Sequence, residues 1–377
     1  MNVLPALPIL VEREVDIMRI GIACGGTGGH IFPGLAVAQV LKGRKHDVVL
    51  WLAGRDVESV STSDWKGPIV SIGGQGLPSG ISRRSLIAVW SLFCAIIKSW
   101  LKMRNLRPDV LLAMGGYGSV GPVMAAHFLG IPIVLHEANV IPGRAIEFLS
   151  KYAAVVAISF EDSKQYIEHK NLAFTGFPLR PDINEEIAEG LIATRHFTVL
   201  VMGGSQGAHL LNEVATSALC RLHLQGIPIQ VIHLSGANDE RMVKKTYENA
   251  GVPCVVLGFL KEMARAYSQA DFIVARSGAA TCAELVARRI PAVLIPLPTA
   301  IRNHQAANAR AISMNKGAVV MEEKDLDPER LSEFIKECYR NPEILEKMKE
   351  ALKNVSTNNA AERLADILEK EVRNKTA

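Results

Sequence analysis

The sequence predicts an α/β protein made of two doubly wound parallel-sheet domains, and three observations predict it. Apolar strand-like runs alternate with helix-like runs along the chain, the pattern of a parallel sheet covered by helices. Each half opens with a strand followed by a glycine-rich turn, Cys24-Gly25-Gly26-Thr27-Gly28-Gly29 matching Met202-Gly203-Gly204-Ser205-Gln206-Gly207, the internal repeat of a doubled nucleotide-binding-type unit. The 377 residues exceed the size at which a single core usually stops growing, so two domains of roughly 150–200 residues each are expected.

In order along the first half, strands are expected at Arg19 to Ala23, His46 to Leu52, Val110 to Ala113 and Ile131 to Leu135. The second half repeats them at Thr198 to Met202, Ile229 to Leu234, Phe272 to Ala275 and Ala292 to Pro296. The junction falls near Gly176-Phe177-Pro178-Leu179-Arg180-Pro181, where glycine and two prolines interrupt the pattern before an acidic stretch. Residues 1–17 lack the basic region and the small-residue cleavage site of a secretory signal, and we expect a flexible extension there with Met18 as the functional start. The expected domains are therefore 18–177 and 178–356, with a helix in 357–377 packing back toward the first domain. Mixed charge at helical spacing over 328–352 and from Asn358 to Lys375 predicts surface helices.

Composition narrows the function classes. With 49% apolar and 21% charged residues the chain is globular and not disordered. A net charge of +4, from 42 basic and 38 acidic residues, gives no general field for nucleic acid. Six cysteines without a C-x-x-C pair argue against zinc or a disulfide framework and fit a reducing cytosol.

The candidate chemistry lies at the strand ends. The four glycines around Thr27 let a backbone approach a ligand and aim N–H groups at it. A dinucleotide fingerprint would need an acid closing the second strand, but that strand runs Val49-Leu50-Trp51-Leu52-Ala53-Gly54. His30 follows in the first residues of a helix, where the dipole favours a neutral, proton-accepting ring; hydrogen bonding within the loop is the structural alternative. The run Ile131 to Leu135 ends in His136-Glu137-Ala138-Asn139, and Gly115-Gly116-Tyr117-Gly118-Ser119 ends the strand before it, both at strand ends where ligands of open sheets bind. In the second half, Arg276-Ser277-Gly278-Ala279-Ala280-Thr281-Cys282-Ala283-Glu284 joins strand to helix. Its small residues suit a phosphate at the helix start, and Glu284, one turn in, suits the hydroxyls of a ribose. Thr281 and Glu284 also have capping-box spacing, so a purely structural role stays open. Gln305 and Asn308, three apart, can meet the same ligand from a neighbouring helix start.

The segment from Ile81 to Arg107 holds Leu86, Ile87, Val89, Trp90, Leu92, Phe93, Ile96, Ile97, Trp100 and Leu101 among Arg83, Arg84, Lys98, Lys102 and Arg104. It is too short and interrupted to span a membrane. A basic-edged apolar face with tryptophans suits lying on anionic lipid, against the alternative of buried core helices.

Taken together and in order, Gly25-Gly26-Thr27-Gly28-Gly29-His30-Ile31-Phe32-Pro33-Gly34, Met114-Gly115-Gly116-Tyr117, His136-Glu137-Ala138-Asn139, Gly203-Gly204-Ser205-Gln206-Gly207-Ala208, Arg276-Ser277-Gly278-Ala279 and Gln305-Ala306-Ala307-Asn308 resemble the MurG family. These are inverting N-acetylglucosaminyltransferases that convert lipid I to lipid II in peptidoglycan synthesis. The resemblance implies a GT-B fold, two Rossmann-like domains facing across a cleft, with the acceptor lipid I on the first and UDP-GlcNAc chiefly on the second. It implies donor contacts at Thr27, Gly28, Gly29, Asn139, Arg180, Ser205, Leu260, Ala279, Ala280, Thr281, Cys282, Ala283, Glu284 and Gln305. It implies a peripheral place on the cytoplasmic face of an anionic membrane, in a cell-wall synthesis complex.

The acceptor hydroxyl needs a base, for which His30 is the first choice and Glu137 or His136 the alternatives. No Asp-x-Asp-like site calls for a metal, and no cofactor is expected, so helix-start N–H groups with Arg180 or Ser205 are expected to stabilise the leaving UDP. The rival expectations are a UDP-GlcNAc 2-epimerase of the same fold and a non-catalytic UDP-sugar-binding membrane subunit.

Overall fold

The computed structural model describes residues 17–26, 28–54, 58, 62–73, 83–184, 190–193, 196–204, 207–355 and 359–376. The first sheet contains β1 (Arg19–Ala23), β2 (Asp47–Leu52), β3 (Ile69–Ser71), β4 (Val110–Ala113), β5 (Ile133–Glu137), β6 (Val155–Ile158) and β7 (Leu172–Phe174). Its strands are all parallel, in the order β3-β2-β1-β4-β5-β6-β7. The second sheet contains β8 (Phe197–Met202), β9 (Ile229–Leu234), β10 (Cys254–Leu257), β11 (Phe272–Ala275), β12 (Ala292–Leu294) and β13 (Ala318–Val320). It repeats the topology as β10-β9-β8-β11-β12-β13. In each sheet the order reverses beside the opening strand, so a crevice forms at the carboxyl ends of β1 and β4 and of β8 and β11.

The central strands are mostly apolar and buried on both faces. In β1, Ile20 and Ile22 enter the core beneath α1 (Gly28–Gly43), while Ala23 joins Trp51 and Leu111 on the other face. That second face is covered by α2 (Arg83–Leu106), α3 (Val120–Phe128) and α4 (Arg144–Ser150). The second sheet is covered on one side by α5 (His209–Leu224), α6 (Glu240–Ala250) and α10 (Pro328–Arg340). On the other side lie α7 (Met263–Tyr267), α8 (Ala279–Arg288), α9 (His304–Met314) and α11 (Pro342–Val355). The last helix, α12 (Ala360–Thr376), returns to the first sheet, where Leu364 and Leu368 pack with Ala38 and Leu41. Arg44 reaches Asp366 at 2.6 Å and Glu369 at 2.9 Å from the same helix.

Several strand readings change, and the last expected strand ends at Leu294, two residues before Pro296. The fourth strand of the first half begins at Ile133, two residues late, because Pro132 has no N–H to give the ladder, and it runs on through His136 and Glu137. The strands β3, β6, β7, β10 and β13, each three or four residues long, were not expected.

The helix α2 is continuous over 24 residues. Ala95, Ser99 and Met103 face inward; a Cβ on Gly121 of α3 would stand 3.1 Å from the Ala95 carbonyl and the Ser99 hydroxyl. Trp90, Phe93, Ile97 and Leu101, at helical spacing, are 67%, 52%, 42% and 53% exposed. The alternative of wholly buried core helices is thereby overturned for these four. The side chains of Leu86, Ile87 and Val89, and residues 81 and 82, lie outside the described residues. Among the described residues no helix is long and apolar enough to cross a membrane.

Candidate active site

The first glycine turn leaves no room for a side chain at Gly25. A Cβ on Gly25 would lie 2.4 Å from the Ala53 nitrogen, closer than any side chain can approach. On that same side, Glu58 accepts hydrogen bonds from the backbone N–H groups of Gly26 at 2.7 Å, Ala53 at 3.1 Å and Gly54 at 2.6 Å. The turn delivers His30 as the third residue of α1. Its ring lies against Gly115 and Gly116, whose φ values of 91° and 73° belong to the left-handed region. A Cβ on Gly116 would stand 3.1 Å from the ring's Nε2 and Cδ2. Gly116 is therefore required twice, once for its backbone and once for the space the imidazole takes. Burial pushes the imidazole below the ordinary histidine range, the Met114 backbone opposing it, so a neutral ring is favoured at physiological pH.

The cluster at the end of β5 differs from what the sequence suggested. His136 is completely buried, with Nε2 3.1 Å from the Ser159 hydroxyl and 3.3 Å from the Gly176 carbonyl, and burial lowers its pKa to about 4. Both oxygens of Glu137 are occupied: Oε1 accepts from the Asn139 backbone at 2.8 Å and side chain at 3.1 Å, and Oε2 from the Gly143 N–H at 2.9 Å. Burial pushes this carboxyl up while those donors pull it down. Because β5 continues two residues further than expected, neither group projects from the strand end. Glu137 thus braces the 138–143 loop, while His136 is held against Ser159 and Gly176.

That loop meets the second domain through Asn308, itself fully buried. Its Oδ1 accepts from the Val140 N–H at 2.9 Å, and its Nδ2 donates to Asn139 Oδ1 at 3.1 Å and to the Ser277 carbonyl at 3.2 Å. The expectation that Asn308 meets the ligand is replaced by a clasp between domains. The Asn139 amide is held by Glu137 and Asn308 together.

Between the domains lies a cavity of about 480 Å³, lined by Gly28, Gly29, Phe32, Arg180, Gly204, Leu260, Gly278, Ala280, Glu284 and Gln305 among others. This volume suits a small-molecule ligand. Arg180 donates to the Lys261 carbonyl at 3.1 Å and lies 4.7 Å from the Phe32 ring centroid, so it links the two walls. Gln305 accepts from the Leu297 N–H at 3.0 Å. The helix α8 begins at the cavity: its N-cap is Gly278, with no side-chain cap, which leaves its first N–H groups without intrahelical partners. Thr281 and Glu284 both sit inside this helix, so they do not form a capping box. Glu284 instead accepts from the Tyr267 hydroxyl at 2.7 Å. Loss of hydration raises its carboxyl above the ordinary range, and Tyr267 and Arg180 counter that rise.

Of the expected donor contacts, Gly28, Gly29, Arg180, Leu260, Ala280, Glu284 and Gln305 line this cavity. Ala279 packs with Ala138 and Phe177 in an apolar cluster. Cys282 is buried in the core, its thiol pushed up to about 12 by burial. Cys282 and Ala283 line a separate cavity of about 600 Å³. The alternation of a helix explains this split, since only one side of α8 can face the cavity. Thr27 and Ser205 lie outside the described residues. Glu58, Tyr267 and the clasp role of Asn308 were missed: Glu58 stands beyond the strand end where an acid was sought, and only the topology brings Tyr267 to Glu284. Among the described residues no group of three or more His, Cys, Asp or Glu gathers as a metal site.

Two doubly wound domains enclosing a cavity that offers an open helix start and a carboxylate suit a nucleotide-sugar ligand, and the chain's family matches make the class a glycosyltransferase. Residues 20–158 match the glycosyltransferase family 28 N-terminal domain and residues 198–364 its C-terminal domain. The UDP-N-acetylglucosamine–N-acetylmuramyl-(pentapeptide) pyrophosphoryl-undecaprenol N-acetylglucosamine transferase of Myxococcus xanthus is 35% identical over 93% of this chain and 92% of its own. The enzyme of the same name from Syntrophus aciditrophicus is 33% identical over 93% and 97%. The crystal structure of Acinetobacter baumannii MurG is 28% identical, with a TM-score of 0.76 over 94% of this chain and 99% of that one. The chain belongs to this MurG family of glycosyltransferases. A UDP-GlcNAc 2-epimerase from Neisseria meningitidis, 13% identical with a TM-score of 0.68 over 94% and 100%, shares the fold alone.

Proposed function

We propose that this chain transfers N-acetylglucosamine from UDP-GlcNAc to the 4-hydroxyl of undecaprenyl-diphosphate-MurNAc-pentapeptide, lipid I, giving lipid II for peptidoglycan. The observation that carries the reading is the interdomain cavity, where an open helix start, Arg180 and a tyrosine-held Glu284 meet Gly28 and Gly29, the residues just before His30, whose ring lies against Gly115 and Gly116. Glu284 receives the ribose hydroxyls of the uridine. The first N–H groups of α8 and the Arg180 guanidinium stabilise the diphosphate as charge develops on it. His30 takes the proton of the acceptor hydroxyl as its oxygen bonds to the anomeric carbon and the bond to UDP breaks on the opposite face. A single displacement inverts the anomeric centre. His136 and Glu137 hold the neighbouring backbone and take no proton from the substrate.

The acceptor's polyprenyl tail ties the reaction to a bilayer. The exposed Trp90, Phe93, Ile97 and Leu101 of α2, edged by the exposed Lys98 and Lys102, provide a docking face on the cytoplasmic leaflet. The test is transfer of radiolabelled GlcNAc from UDP-GlcNAc to a lipid I analogue by purified protein, with and without chelator. Labelled lipid II in equal yield under both conditions is expected. Consumption of UDP-GlcNAc without acceptor would point to the epimerase reaction, and donor binding without turnover to a non-catalytic subunit.

A further inference from the structure

Glu58 has no part in the chemistry above, yet it is almost completely buried beneath the first glycine turn. Its Oε1 takes the Gly26 and Ala53 N–H groups and its Oε2 the Gly54 N–H. In a strand-to-helix glycine turn, an N–H such as that of Gly26 ordinarily helps to form the cradle for a ligand's phosphate, and the Ala53 and Gly54 N–H groups lie at the end of β2. Here a protein carboxylate fills part of that cradle. The far side of the same turn carries the site: a Cβ on Gly118 would stand 3.1 Å from the Gly25 carbonyl, and one on Gly116 3.1 Å from the His30 ring. Glu58, the turn, the 115–118 loop and the imidazole are thus stacked in sequence without slack.

We infer that Glu58 is a positioning residue for the transfer reaction, an internal carboxylate that ties the Gly26 N–H of the turn to the Ala53 and Gly54 N–H groups at the end of β2 and so sets the placement of His30. The inference rests on the reading of His30 as the base. An acid placed here fixes the turn before substrate arrives, so the histidine needs no ligand to reach its working position. It also makes the Gly26 N–H unavailable to a substrate phosphate, which leaves the donor diphosphate to the second domain.

The experiment compares wild type, Glu58→Gln and Glu58→Ala in steady-state transfer, in melting, and in the imidazole resonances of ¹⁵N-histidine-labelled protein. Glutamine conserves volume but cannot accept at both positions, because one of them becomes an amide donor. Both variants should remain folded and lose about 10- to 100-fold in kcat, the scale of a reacting group displaced by about 1 Å, while donor KM changes far less. Added formate, which can replace the missing carboxylate in Glu58→Ala, should restore part of kcat, whereas chloride at equal ionic strength should not. The His30 resonance should move in Glu58→Ala and return with formate, and that of His209 in the second domain should stay. Unchanged kcat in both variants would overturn the inference. So would a fall in kcat that formate does not relieve, or failure of both variants to fold, since Glu58 would then be a general determinant of the domain. The resonances read the position of His30 without turnover, so an inactive wild type would remove the catalytic reading while leaving Glu58's hold on the turn measurable.

Discussion

At the scale of single residues, Glu284 and His30 separate binding from chemistry. Glu284 accepts from Tyr267 within the cavity, and exchanging its carboxylate for an amide leaves helix α8 intact because no cap depends on it. Glu284→Gln should therefore raise donor KM by about 10-fold or more, the order of one charge-assisted hydrogen bond, with little change in Tm; a variant that loses only thermal stability would refute the ribose role. His30→Ala should reduce kcat by about 100-fold or more, the scale of a lost general base, while calorimetry still detects UDP binding. The pH profile carries the sign. Burial lowers the imidazole's pKa, so the base is neutral across the neutral range and the acidic limb of kcat should fall below the ordinary histidine pKa of about 6.5. A limb at or above that value would indicate another base. Much of this site was legible, because strand, glycine turn and small-residue helix start are local patterns. The bonding of Glu137 and His136 was not legible, because it follows from β5 running on to Glu137, and that extent depends on ladder pairing with β4 and β6. Tyr267 was illegible since nothing near Glu284 in the sequence specifies it.

At the scale of elements, α2 poses a choice that sequence posed but did not decide. Its apolar residues are numerous enough for a core helix, and only the packing of Ala95, Ser99 and Met103 on α3 reveals which side turns outward. Exposed apolar side chains in a row stabilise nothing in water and favour a bilayer surface or a partner. Trp90→Glu and Phe93→Glu should therefore keep the wild-type circular dichroism and melting curve, and should lose flotation with anionic vesicles. Wild-type binding should weaken with salt, because each basic residue near the surface contributes about 1 kcal/mol and is screened. Folded variants that float as well as wild type would remove these positions from the docking face, and a wild type that never binds would remove the helix. The same limit of local patterns bears on the short strands β3, β7 and β13, which lie toward the sheet edges and were not expected: their pairing partners, more than their own residues, make them strands.

At the scale of the whole molecule, the doubled topology followed from the repeated glycine turn, but the way the halves are joined did not. The cavity has walls from both, so its shape depends on their mutual placement. Arg302 to Glu147 at 2.7 Å and Lys261 to Asp64 at 2.9 Å are exposed or half-exposed pairs across the join, and such pairs contribute little. Asn308 is different, because it is fully buried and ties the Val140 N–H and Asn139 of one half to the Ser277 carbonyl of the other. Removing it strands buried polar groups, at about 1–3 kcal/mol for each left unpaired. Asn308→Ala should therefore lower Tm, speed amide exchange of residues 138–143, and raise donor KM as Gly28 and Gly29 drift from Gly278 and Gln305. Asn308→Asp supplies the control for volume. It keeps an acceptor for Val140 but loses the donor to Asn139 and Ser277, so it should share most of the loss if bonding rather than packing joins the halves. A variant pair with wild-type exchange at Val140 and unchanged donor KM would show that the two domains hold their relative placement without this clasp, and that the cavity's shape is set by the apolar contact of Ala138, Phe177 and Ala279 instead.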